Sequence, residues 1–157
     1  MEMLMEQYHL VRKTREALFS YCESLPHADY ARRLDSFAKA SMRDLHRHVA
    51  ECYTVWLGKR ALQLEEVSVH VPHGANVADM RQVFQKVDGI VERFLAEYES
   101  TWNTPLDVHI AGQGHPISVT PLWLFTHTVT HEFHHKGQMV SISRHLGHVP
   151  PETDLVI

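Results

Sequence analysis

Cysteine is nearly absent from the 157 residues, occurring only at positions 22 and 52, which is too few for a disulfide-held scaffold and fits a reducing compartment. Glycine and proline are also scarce, seven of each, and they cluster, leaving long stretches that a helical period can fill. No run approaches the roughly 18 apolar residues that a membrane span needs, so no membrane partner is expected. Nor is there an excess of positive charge. Fifteen Lys and Arg stand against 19 Asp and Glu, a net −4, without the global basic field that grips a phosphate backbone, and no nucleic-acid partner is expected. The opening residues, Met1-Glu-Met-Leu-Met-Glu6, place acids where a signal peptide carries Lys or Arg, and with the scarce cysteine this predicts a cytoplasmic protein. The length predicts one domain over 1–157.

What the chain has in excess is histidine, 14 residues spread throughout rather than gathered at a terminus. Imidazole is the commonest metal ligand, so some of them are ligand candidates.

Four segments carry a helical period. The first runs from about Met3 to Leu25, with Leu4, Tyr8, Val11, Leu18 and Cys22 recurring on one face before Pro26. The second opens on a capping box at Ser41 and Asp44 and carries Leu45, Val49, Cys52 and Trp56 on to about Leu64. The third follows Asn76, with Asp79 three positions on, and repeats apolar residues from Val77 to Leu95 before ending near Tyr98. The fourth has Thr120 as N-cap, Pro121 in its first turn and Gly147 beyond its end. Between the third and fourth, 106–110 and 116–119 alternate about Gly112-Gln-Gly114, the pattern of a short β-hairpin. These elements predict an all-α four-helix bundle, with connections long enough to cross its ends.

Within the fourth segment, His127, His131 and His135 recur every four residues and so share one helical face. Neighbours lie about 6 Å apart along the axis, close enough to bind one ion, whereas His127 and His135 are about 12 Å apart and cannot. One adjacent pair therefore supplies at most two ligands. The rest must come from a facing helix, and the second segment offers His46 and His48, between which periodicity does not choose. The remaining histidines, including His70, His73, His109 and His148, fall in the first helix, in loops or near an end, and are expected to be solvated or capping side chains. Neutral imidazoles without thiolate or several carboxylates favour zinc, nickel, iron or copper over magnesium or calcium.

The same residues contain a competing motif, since His131-Glu-Phe-His-His135 also reads H-E-x-x-H, the zinc-protease signature with Glu132 as general base. Its context is poor, because only 22 residues follow His135 and Glu152 is the sole late carboxylate at a plausible third-ligand spacing. Adjacent helical positions differ by about 100°, so Glu132 and Lys136 are expected to turn away from the ligands, toward solvent or another subunit. Cys52 is expected to be a small apolar filler, although it lies one turn after His48. Gly137 is expected at a close helix contact, and Tyr53, Trp56 and Trp123 could be core residues or the wall of a pocket.

Three stretches, Thr120-Pro-Leu-Trp-Leu124, His131-Glu-Phe-His-His-Lys-Gly-Gln138, and Ser41 to Glu51 with Trp56-Leu57 behind it, resemble the bacterial DinB family of small metalloproteins. The resemblance implies a four-helix bundle with crossed connections, usually homodimeric, holding one divalent ion through His48, His131 and His135. His46 then becomes a residue behind the ligands or on the surface. Zinc or nickel is the expected ion, ahead of iron, copper or manganese. Characterised relatives imply a thiol-dependent S-transferase using a low-molecular-weight thiol as cosubstrate. A metal-dependent hydrolase is the enzyme alternative, and a non-catalytic, stress-associated metal-binding protein is the other.

Overall fold

The computed structural model describes residues 2–72, 74–110 and 112–155, so the predicted solvated histidine at position 73 lies outside the described residues. Helix α1 spans Glu2–Ser24, and a single turn, α2, follows at His27–Tyr30. Helix α3 spans Met42–Tyr53 and passes into a π-helix at Thr54–Ala61; α4 spans Val77–Glu97 and α5 spans Pro121–His145. Strands β1 (Leu106–Val108) and β2 (Ile117–Val119) pair antiparallel, with Leu106 opposite Val119 and Val108 opposite Ile117, so the expected hairpin is present.

The helix ends form as the sequence dictates. The Asp44 backbone N–H donates to Ser41 Oγ at 3.1 Å, while the Ser41 N–H donates back to the Asp44 carboxylate at 3.2 Å, and Asn76 with Asp79 repeats the box at 3.0 and 2.9 Å. Thr120 Oγ1 accepts from the Trp123 N–H, and Gly147 takes a left-handed φ of 87° that closes the last turn of α5.

Helix α1 packs on α4 and α5, and α3 packs on the same two. Thus α1 and α3 occupy one diagonal of the bundle and α4 and α5 the other. The connections from α1 to α3 and from α4 to α5 each cross the bundle, which realises the expected crossover topology. Tyr8, Leu18, Val49, Val87, Phe94, Leu124 and Ile142 close the core among them. No helix among the described residues is long and apolar enough to cross a membrane.

One element departs from expectation. The second predicted helix does not continue as an α-helix to Leu64 but widens after Tyr53, where Leu62 N–H reaches back five residues to the Leu57 carbonyl at 3.0 Å. Gly58 sits inside this stretch, and a Cβ there would stand 2.9 Å from Val67 Cγ1, so the connection to α4 lies against bare backbone. Apolar spacing over a few turns does not distinguish a π-helix from an α-helix, which is why the change of winding is not legible beforehand.

Candidate metal centre

The seam between α3 and α5 brings donor side chains together from both helices. Helix α3 contributes His48 and, one turn later, Cys52; α5 contributes His127, His131 and His135 along one face. His48 Nε2 lies 3.1 Å from His131 Nε2, and the His135 ring centroid is 4.7 Å from that of His48 and 4.4 Å from that of His131. The three donor atoms all fall within 4.8 Å of one another. Two imidazole nitrogens on one tetrahedral zinc stand about 3.4 Å apart, given bonds of about 2.05 Å, so this spacing fits a shared ion with little movement.

Protonation and orientation are also suited to coordination. Burial, with the charges of the neighbouring rings, lowers His131 to about 4, and burial lowers His135 as well, so both are neutral near pH 7. His135 Nδ1 lies 2.7 Å from Gln138 Oε1; the Nδ1–H donates to that oxygen and leaves Nε2 with its lone pair free. His135 is buried, His131 half-buried and His48 exposed, so the cluster meets solvent on the α3 side. These three histidines could hold a metal ion. The role of Gln138 was missed in the sequence, although its position three residues after His135 is a usable signal.

Of the two α3 histidines that spacing left open, only His48 joins this cluster. His46 is neither on the surface nor behind the triad: it is 2% exposed, stacks on Phe19 at 4.7 Å, and places Nδ1 3.0 Å from the Tyr30 hydroxyl. Burial drives it down to about 3, and its Nε2 is buried without a hydrogen-bond partner among the described residues. It is a neutral core histidine.

His127 belongs to the next rung of the seam. Its Nε2 lies 4.0 Å from Cys52 Sγ, its ring stacks parallel to Trp123 at 5.2 Å, and Trp56 meets it edge-on at 4.9 Å. Burial pushes the Cys52 thiol up to about 12. Trp123 is 44% exposed and Trp56 half-buried, so these two flank His127 at the surface, whereas Tyr53 is a core residue. Among the described residues, Gly137 has no neighbour within 4 Å of its Cβ position and does not serve a close helix contact.

Glu132 and Lys136 turn away from the ligand face as expected, yet inward rather than toward solvent. Helix α5 is flanked by α3 on one side and α1 on another, so a residue rotated off the ligand face enters the core. Glu132, 2% exposed, accepts from Arg15 Nε at 2.9 Å and Nη2 at 2.8 Å, and from the Tyr53 hydroxyl at 2.8 Å. Lys136 lies 3.4 Å from the same carboxylate and donates to Thr14. Arg15 also reaches the partly exposed Asp88 at 2.8 Å, so its charge is shared between two carboxylates. Burial alone would raise Glu132, but the charges of Arg15 and Lys136 outweigh it and hold the carboxyl down at about 2. A carboxylate committed to these partners is not available as the base that the H-E-x-x-H reading requires. Arg15 was not singled out in the sequence, but its place between Val11 and Leu18 on an apolar stripe marks it as a cation that needs a buried partner.

In comparisons with known proteins, the model of the DinB family matches residues 1–157, the whole chain. No curated protein matches it.

Proposed function

Because the chain belongs to the DinB family and gathers three histidines on one seam, we propose that it is a divalent-metal-dependent enzyme of the thiol S-transferase type. In this reading His48, His131 and His135 hold one ion, zinc or nickel ahead of iron, copper or manganese. The observation that carries it is the 3.1 Å approach of His48 to His131 across the seam, in a cluster whose α3 side meets solvent. Three protein ligands are the number found in catalytic sites, where structural sites are closed by four.

When bound, such an ion supplies Lewis acidity and favours the deprotonated form of a thiol or water in its open position. The chain's own residues do the rest. Gln138 fixes the His135 tautomer, and Trp56 and Trp123, packed about His127 one turn before His131, offer apolar surface to an incoming electrophile. The thiol sulfur forms the new bond to the electrophilic carbon, the leaving group departs with its electron pair, and the thiol proton passes to solvent. Hydrolysis is less well supported, because Glu132 is engaged by Arg15 and Tyr53. A purely structural ion is less well supported because His48 is exposed.

The chain is further proposed to act as a single domain in the cytoplasm and as a homodimer, the dimer resting on the family resemblance. Light scattering should give twice the 18.1 kDa chain mass; 18.1 kDa across micromolar concentrations would remove the dimer. For the chemistry, purified protein is assayed against panels of low-molecular-weight thiols and alkyl or activated aryl halides. Thioether formation that disappears on chelation and returns with added ion supports the proposal. Ester or amide hydrolysis that needs no thiol would replace it with the hydrolase reading.

A further inference from the structure

The donor ladder on the α3/α5 seam does not end at the histidine triad. Cys52 follows His48 by one turn, and His127 precedes His131 by one turn. The two antiparallel helices therefore extend the ladder in the same direction, and each rung takes one donor from α3 and two from α5. On the second rung the donor atoms of Cys52, His127 and His131 again lie within 4.8 Å of one another. We propose that Cys52, His127 and His131 form a second metal station, selective for large thiophilic ions such as cadmium or mercury(II), one turn along the seam from the triad and filled as its alternative, because a neutral His131 has one ring nitrogen to give.

The donor chemistry differs between the rungs. The triad offers three imidazoles, whereas the second rung offers a sulfur with two imidazoles, and soft ligands select soft ions. The 4.0 Å between Cys52 Sγ and His127 Nε2 compares with about 3.6 Å expected across a tetrahedral zinc, so the rung suits a larger ion without rearrangement. Trp123 stacked on His127 and Trp56 against its edge hold that ring in place and cover it from water. On binding, the sulfur–metal bond forms as the thiol proton is released to solvent.

The test is titration of the metal-free full-length chain with cadmium, followed by ultraviolet thiolate-to-cadmium charge-transfer absorption. The band should saturate in the native chain and vanish in Cys52→Ser, with Cys22 on α1 as an internal control. His127→Ala should weaken cadmium binding beyond the about 10- to 100-fold typical of losing an outer-shell partner. His48→Ala and His135→Ala, which break only the triad, should keep the band, so failure of the triad and failure of the second station are told apart. Circular dichroism on each variant confirms the fold, and the Cys and His127 variants check one another. Cadmium binding without the band, a band that survives Cys52→Ser, or one lost in His48→Ala would overturn the proposal.

Discussion

Replacing Glu132 with Gln keeps the side chain's size and removes its charge, which makes it the sharpest probe of the network behind the metal centre. In the native chain this carboxylate takes two hydrogen bonds from Arg15 and one from Tyr53, with Lys136 at 3.4 Å. The variant leaves Arg15 and Lys136 inside the bundle, with the partly exposed Asp88 as the remaining carboxylate beside Arg15, and Asp88 is already shared with Arg12 at 3.2 Å. Unpairing a buried charge costs about 3–5 kcal/mol. In a chain of this size that lowers the melting temperature by about 6–20 °C. Urea denaturation followed by circular dichroism measures the loss, and a double-mutant cycle with Arg15→Ala should show that the two losses are far from additive. Metal occupancy should persist wherever the variant remains folded, since Glu132 faces away from the ligands. A loss below about 1 kcal/mol, with additive single variants, would refute the view that this pair holds α1 to α5.

Three further outcomes follow from local structure. Ser41→Ala removes one acceptor of the α3 capping box and should cost about 1 kcal/mol in chemical denaturation. Partial burial would raise the Asp44 carboxyl, but hydrogen bonds from Arg33 and Ser41 bring it below its ordinary 3.8, so its contribution is present above about pH 4 and lost as pH falls through the folded value. Thermal melts should therefore show Asp44→Asn less stable than the native chain at neutral pH and converging with it in acid. Gly58→Ala puts a methyl group 2.9 Å from Val67 Cγ1 and should cost about 1–3 kcal/mol by overpacking, read as a lower urea midpoint; an unchanged midpoint would show that the 62–76 connection yields freely.

Much of this arrangement was legible in the residues. The capping pairs, the proline at the start of α5 and the glycine beyond its end set the helix bounds, because each acts through local hydrogen bonds that do not depend on tertiary context. The spacing of His131 and His135 put them on one face for the same reason. Spacing alone did not choose between His46 and His48, which flank the apolar stripe of α3 on opposite sides; packing against α1 and α5 separates them, and that is tertiary information. Glu132 and Lys136 were expected to meet solvent or another subunit, and were instead buried because α5 is covered on two flanks. The π-helical winding after Tyr53 was not legible, since apolar spacing over a few turns is the same for the two windings.

The central claim is that His48, His131 and His135 together hold one divalent ion. Elemental analysis of the purified chain and of His46→Ala, His48→Ala, His131→Ala and His135→Ala, each checked for fold, tests it most directly. The account predicts close to one ion per chain in the native protein and in His46→Ala, and loss of that ion in the other three. Full occupancy in His135→Ala, or loss in His46→Ala with retention in His48→Ala, would contradict it.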